Sequence, residues 1–564
     1  MVPAMRGLMM DFQLTVPTIV RRAETLFGGK PVVTRRPDRS LERRTLAAAV
    51  DRARRLVVVL ESLGVRPGDR VATLAWTTGQ HFEVYLAIPM MGAVLHTLNL
   101  RLHHDDLAYI VNDARDRVLI VDESLLPLWE RVRPHVRVDH VLVTAASGAA
   151  TSYLDYEAQL AAADGSRFVQ RDIREEDAAA MCYTSGTTGR PKGVLYSHRS
   201  VVLHAYGLGL RDTAALGEDD IVLPVVPMFH VNSWGLPFGC PFFGCGQIFP
   251  GPHLDAKSVA DLLSRERVTV AAGVPTVWLA LLQELDQNRS AYDLSGLRAI
   301  IVGGSAAPLA MIRGFEERHQ LKVIHAWGMT EMSPVGTWCN LPASMRALPA
   351  DEQFRYRAKQ GAPVPFVEIR ARGEHGLVPW DGSTLGELEV RGPWVAARYY
   401  SGGSAETGPA DGLEDLPSSV LNDRFTEDGW FKTGDIVSID PLGCIDLADR
   451  GKDLVKSGGE WISSVALESA LMGHPAVAEA AVIAVPHEKW DERPLAVVVL
   501  KAGRQATAEE LQTFLAQNFA KWWLPDAFEF VSEIPRTSAG KFQKSTLRDR
   551  YRGAYGVAVT PPHT

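Results

Sequence analysis

Residues 183–193 read Tyr183-Thr184-Ser185-Gly186-Thr187-Thr188-Gly189-Arg190-Pro191-Lys192-Gly193. Glycines let backbone N–H groups approach an anion closely, and hydroxyls add further donors. With Lys192 supplying a charge, the stretch reads as a cradle for a polyphosphate. It is not a Walker A loop, because Lys192 does not directly follow a glycine and no Ser or Thr comes after it. It also lacks the GxGxxG pattern of a dinucleotide fold.

Upstream of this loop, helical and strand patterns alternate. Residues 16–27 and 46–63 carry apolar positions at helical spacing, and Pro67-Gly68-Asp69 turns the chain into a strand at 70–76. Helix 81–91, strand 93–97, helix 105–113 and strand 117–121 follow. Such alternation predicts parallel sheets covered by helices. Downstream, 221–226, 268–272 and 299–302 read as buried strands. After Gly361 the pattern shifts to short strands, such as 386–391 and 443–447, with a surface loop expected at 401–419. A last α/β pattern begins near Asp453: helix 465–472, strands 480–485 and 496–500, and helix 508–520.

The 564 residues, 46% hydrophobic and 22% charged, suit a globular chain able to bury a large core. With 67 acidic against 59 basic residues the net charge is −8, so electrostatics make no case for nucleic acid as a partner. No apolar run reaches the ~18–20 residues of a membrane helix, and residues 1–12 lack a secretory signal pattern. The five cysteines form no CxxC pair, which argues against a zinc site or a disulfide framework and fits a reducing cytoplasm.

Five more motifs follow the loop in order. They are Val302-Gly303-Gly304-Ser305-Ala306-Ala307-Pro308, Trp327-Gly328-Met329-Thr330-Glu331 and Thr433-Gly434-Asp435. Then come Asp449-Arg450-Gly451-Lys452-Asp453 with Ser457-Gly458-Gly459-Glu460-Trp461, and Pro535-Arg536-Thr537-Ser538-Ala539-Gly540-Lys541. In this order the six stretches resemble the adenylate-forming superfamily of acyl-CoA synthetases, peptide-synthetase adenylation domains and luciferases. Residues 223–234, 325–334, 456–464 and 521–525 further resemble bacterial medium- and long-chain fatty acyl-CoA synthetases and methylmercaptopropionate-CoA ligases.

The resemblance implies an α/β fold. A large N-terminal domain of helix-flanked sheets with a β-rich subdomain (1–451) would carry ATP and acid. A small C-terminal α+β lid (452–564) would swing about Lys452. The implied chemistry is attack of a carboxylate on the α-phosphate of ATP, giving acyl-AMP and pyrophosphate, followed by displacement of AMP by the thiol of coenzyme A. A carboxylate is a weak nucleophile, so the protein must chiefly position groups and neutralise phosphates.

By the same resemblance Thr184, Ser185, Gly186, Thr187, Thr188 and Lys192 embrace the β- and γ-phosphates, and Glu331 with Thr184 holds Mg²⁺. Gly303, Gly304, Ser305, Gly328 and Thr330 border the nucleotide. Trp327 stacks on adenine, where most members carry tyrosine. Asp435 accepts from the ribose hydroxyls, and Arg450 reaches the same ribose. Gly458, Gly459, Glu460 and Trp461 form the glycine-rich loop. Lys541 bridges carboxylate and α-phosphate, and the neighbouring Arg536, Lys544, Arg548, Arg550 and Arg552 add a basic tail that would attract polyphosphates. His230 sits beside the acyl carboxylate, and Trp234 gates the acyl tunnel. Val231, Gly235, Gly273, Val274, Pro275, Gly303, Ser305, Met329 and Val335 would line the pocket, with no charged residue to pair with an α-amino group.

The reading is therefore an ATP-dependent fatty acid–CoA ligase using ATP, Mg²⁺ and coenzyme A, with a homodimer implied through the N-terminal region. The rivals are a ligase for a short or sulfur-containing acid such as 3-methylmercaptopropionate, and a non-catalytic nucleotide-binding regulator. A peptide-synthetase module would need a carrier domain, and a luciferase an unusual substrate.

Overall fold

The computed structural model describes residues 7–144, 152–184, 190–400, 424–451, 453–457, 460–537 and 541–555. Ser185, Gly186, Thr187, Thr188, Lys452, Gly458, Gly459 and the expected loop at 401–419 lie outside the described residues, as do the side chains of Arg450, Glu460 and Trp461.

Two large sheets form the N-terminal part. In the first, six parallel strands run in the order Val323–Gly328, Ala299–Val302, Val270–Gly273, Ile221–Pro224, Gly246–Phe249 and Pro31–Arg35 among the described residues. Antiparallel strands close both ends: Val335–Trp338 with Ala362–Pro363 at one, Leu41–Thr45 at the other. In the second sheet, Asp116–Asp122, Arg70–Leu74, Val94–Thr97 and Ala178–Tyr183 are parallel neighbours, and Gly193–Ser197 folds back on Ala178–Tyr183.

The helices Leu46–Ser62 and Gly79–Met90 fill the space between the sheets. Each begins at a threonine whose hydroxyl accepts from a backbone N–H, Thr45 from Ala48 and Thr78 from His81, both at 3.2 Å. Gly79–Met90 is apolar on nearly every side because it is buried on nearly every side. Phe82 and Tyr85 belong to one core cluster with Val32 and Phe249 of the first sheet and Val71 and Leu95 of the second. Each such large side chain contributes about 1.5–3 kcal/mol on burial.

The β-rich unit is an antiparallel sheet in the order Gly376–Leu377, Glu368–Gly373, Gly386–Arg391, Phe431–Ile439 and Ile445–Arg450. Its inner residues Leu388, Val390 and Val437 share a core with Val222, Val270 and Ile301 of the first sheet.

The C-terminal part is built on a long hairpin, Val477–His487 paired with Asp491–Leu500. The short strands expected at 480–485 and 496–500 are the middle of the first and the second half of the other. The sheet is covered on both faces, so alternate residues enter different cores: Ala480, Val482 and Val498 one, Ala481, Ile483 and Val497 the other. The helix expected at 508–520 ends early, at Ala516, and a single turn at Lys521–Trp523 follows just beyond its expected end.

In both large sheets the parallel strands deliver their C-terminal ends to one region. Tyr183, Pro224, Gly273 and Val302 end strands there, and the sequence motifs begin immediately beyond them. Ligands of open parallel sheets bind at such edges.

Candidate active site

The phosphate-loop stretch leaves the strand Ala178–Tyr183 at Thr184. The loop is closed at its base by two bonds between Thr184 and Lys192. The Thr184 N–H donates to the Lys192 carbonyl at 2.9 Å, and the Lys192 N–H donates to Thr184 Oγ1 at 3.1 Å. Tyr183, one residue before, donates its hydroxyl to Asp113 Oδ2 at 2.6 Å and so fixes the end of the strand.

Thr184, Lys192, His230, Trp234, Glu331 and Lys541 line one cavity of about 300 Å³. Ser305, Trp327, Gly328 and Asp435 line a second of about 180 Å³, which Lys541 also borders. Gly303, Val231, Met329 and Thr330 face the first cavity and Gly304 faces both. The expected acyl-pocket residues divide: Val231, Gly303, Met329 and Val335 line the first cavity, Pro275 and Ser305 the second, and Gly235, Gly273 and Val274 neither.

Trp327 and Asp435 lie 108 positions apart in sequence, yet the indole Nε1–H donates to Asp435 Oδ2 at 2.8 Å. Both side chains are buried. Gly336 makes room for the indole, since a Cβ there would stand 2.5 Å from its ring. Asp435 pairs in register with Arg450 on the neighbouring strand.

From Val231 to Gly235 the backbone takes five consecutive left-handed conformations, with φ between 46° and 76°. Each costs a non-glycine residue about 1–2 kcal/mol, and such strain concentrates at functional sites. The turn is held from outside: Ser233 Oγ donates to the Val226 carbonyl at 2.7 Å, and Asn232 Oδ1 accepts from Tyr85 Oη at 3.3 Å and from Cys182 Sγ at 3.4 Å. It lays the Trp234 indole over Gly303, where a Cβ would meet the ring at 3.1 Å. The surrounding walls, Leu208, Ala214, Leu236, Ala272, Ile301 and Trp338, are all apolar.

His230 stands at the start of this turn. Burial, with the cations Lys541 and Arg101 nearby, holds its imidazole down to about 3. It is therefore neutral at neutral pH.

The basic tail differs from expectation. Lys544 is paired with Glu468 at 2.7 Å and donates to Ser464, whose N–H and hydroxyl in turn bond Asp449. Arg548 is paired with Asp453, and Arg536 with Glu479 at 2.5 Å. These cations are spent inside the C-terminal part and across its junction with Asp449 and Asp453. They do not form an open basic face, because the sequence hides carboxylate partners 57 to 95 positions away.

Three residues carry no signal in the motifs and yet belong to the site. Tyr399 donates its hydroxyl to Glu331 Oε1 at 2.6 Å, and Arg424 and Tyr399 both line the first cavity. Arg101 lies beside His230, with its guanidinium 5.8 Å from the Phe229 ring centre. A long chain separation and no local pattern conceal all three; only the run Tyr399-Tyr400 before the Gly/Ser-rich stretch marks one of them.

The arrangement is a polar cleft opening onto an apolar chamber, with Lys541 and Lys544 of the C-terminal part lining both cavities. Residues 20–400 match the AMP-binding enzyme family and residues 466–541 the AMP-binding enzyme C-terminal domain. The chain belongs to this family. It is 48% identical over 557 residues to a long-chain fatty acid–CoA ligase of Thermus thermophilus, covering 98% of this chain and 99% of that one. It is 42% identical over 554 residues to a 3-methylmercaptopropionyl-CoA ligase of Ruegeria pomeroyi, covering 97% and 99%. Among solved structures, an anthranilate CoA ligase in complex with anthranoyl-AMP superposes with a TM-score of 0.84 at 26% identity, covering 98% of this chain and 100% of that one.

Proposed function

We propose that the protein is an AMP-forming acid–thiol ligase. It activates a fatty acid of medium or long chain as acyl-AMP with release of pyrophosphate, then transfers the acyl group to coenzyme A with release of AMP. The observation that carries this reading is the convergence of Lys541, Thr184, Glu331 and His230 on one cavity whose far walls are apolar.

In the first step Thr184 and Lys192 hold the β- and γ-phosphates, and Asp435 accepts from the ribose. Trp327 keeps Asp435 oriented through its indole N–H and borders the adenine. Lys541 aligns the carboxylate oxygen with the α-phosphorus; a point charge on a flexible stem can follow both as the geometry changes. Neutral His230 cannot offset the carboxylate's charge, which leaves that task to the cations beside it, Lys541 and Arg101.

Mg²⁺ fits the donors present. Glu331 and the Thr184 hydroxyl offer hard oxygen ligands on one cavity, which is what this ion takes together with phosphate oxygens. When bound, the ion neutralises phosphate charge.

The second step needs a path for the thiol, and hence withdrawal of Lys541. A rotation of the C-terminal part (452–564) about Lys452 achieves this and brings up the loop that contains Gly458, Gly459, Glu460 and Trp461. Arg450, two residues before the pivot, reaches the ribose.

The apolar walls Leu208, Leu236, Ile301 and Trp338 support an apolar acid. The 42% identity to a methylmercaptopropionyl-CoA ligase favours a second reading, a short thioether acid. An assay of thioester formation over acids from propionate to palmitate, with 3-methylmercaptopropionate included, tests both. A maximum at medium or long chains supports the first; highest kcat/KM on the thioether acid supports the second. AMP release that does not depend on an added acid would refute either.

A further inference from the structure

Tyr399 stands between the two oppositely charged groups of the phosphate site. Its hydroxyl donates to Glu331 Oε1 at 2.6 Å, and the Lys192 ammonium lies 4.8 Å from the centre of its ring. The backbone on either side is tied to the same two motifs: the Ala396 N–H donates to the Glu331 carbonyl at 2.7 Å, and the Tyr400 N–H donates to the Gly193 carbonyl at 2.8 Å. The ring also packs against Phe425 and Phe431, with centres 6.2 and 6.5 Å away. Its place is therefore set by the strap that carries it and not only by the two charges.

Glu331 is buried and Lys192 is exposed, and with nothing between them the carboxylate and the ammonium would attract each other across the cleft. A direct pair would plug the triphosphate site, and every incoming nucleotide would have to break it. Tyrosine offers each charge a weaker partner: a π face for the cation and a neutral hydroxyl for the anion. Both partners are readily given up to phosphate and metal.

We propose that Tyr399 is a positioning residue that keeps Lys192 and Glu331 apart until the β- and γ-phosphates arrive. The proposal rests on the reading of Lys192 and Glu331 as the phosphate and metal ligands.

Calorimetric affinities for AMP and for ATP with Mg²⁺ test it without reference to turnover. Tyr399→Leu is expected to weaken ATP binding about tenfold, a shift of about 1.4 kcal/mol. AMP lacks the outer phosphates, so its affinity should stay near that of the unaltered protein. Tyr399→Phe retains the π face and should lose less than Tyr399→Leu. With Lys192→Met there is no ammonium to collapse onto Glu331, so adding Tyr399→Leu should bring no further loss.

Equal weakening of AMP and ATP in Tyr399→Leu would make Tyr399 a structural residue and overturn the proposal. So would the same loss in the Lys192→Met background. If Lys192→Met alone binds ATP as the unaltered protein does, the phosphate assignment fails first, and that result is distinct from the other two.

Discussion

The Trp327 indole donates a 2.8 Å hydrogen bond to Asp435, joining the first sheet to the β-rich unit at the floor of the second cavity. Trp327, proposed to border the adenine, thus also orients Asp435, the carboxylate proposed to take the ribose. Trp327→Phe keeps an aromatic face and removes the donor. A hydrogen bond to a charged group is worth about 1.5–3 kcal/mol. Calorimetry should show ATP and AMP affinities falling together, by roughly tenfold or more. Unchanged affinity for both would mean that Asp435 is held by other contacts.

Trp234 covers Gly303 at the mouth of the apolar chamber. Trp234→Ala should alter kcat/KM for long and short acids by different factors while leaving ATP affinity nearly unchanged. An equal change for both acids would reduce the indole to packing.

Among the described residues five histidines titrate below their ordinary range: His81 and His198 at about 4, His204 and His230 at about 3, and His325 lowered as well, in each case chiefly through desolvation. The unfolded chain takes up these protons near pH 6.5 and the folded chain does not. Below about pH 6.5 the unfolded state therefore binds more protons, and stability falls as pH falls. Glu468, pushed up to about 7 by burial, contributes the opposite slope between about pH 4.5 and 7. Glu83, Asp116, Asp122 and Asp446, also raised by burial, share that slope. They start from ordinary values of about 4, whereas the five histidines start from about 6.5, so the histidines dominate and urea midpoints should be lower at about pH 5 than at about pH 7.5. A higher midpoint at the acidic value would contradict this account.

Lys452 lies between Gly451 and Asp453, where the β-rich unit gives way to the C-terminal part. Proline fixes φ near −65° and restricts the residue before it. Lys452→Pro should spare acyl-AMP formation and abolish thioester formation from acyl-AMP, as read by pyrophosphate exchange and single-turnover assays. An equal fall in both steps would remove the support for this pivot.

The sequence was most readable where pattern is local. The strands Ala299–Val302 and Gly386–Arg391 fall where their apolar runs predict, and Leu46–Ser62 follows from its helical spacing. Readability failed where long-range contacts decide. Nothing in Val231-Asn232-Ser233-Trp234 announces a left-handed turn: only Asn232 and the following Gly235 favour that conformation, and bonds from Tyr85, Cys182 and Val226 impose the rest. Tyr399 is 207 positions from Lys192 and 68 from Glu331. The charges of Lys544 and Arg548 read as solvent-facing because Glu468 and Asp453 precede them by 76 and 95 positions.

The central claim is that Lys541 promotes adenylation of a carboxylic acid in this cleft. The most direct test is acid-dependent exchange of labelled pyrophosphate into ATP, comparing the unaltered protein with Lys541→Ala. The account predicts exchange that requires a fatty acid and falls by orders of magnitude in the variant, since one lost transition-state charge contact costs about 3–4 kcal/mol. ATP should still bind, and supplied acyl-AMP should still be converted to thioester. Exchange at the full rate in Lys541→Ala, or no exchange with any acid in the unaltered protein, would contradict it.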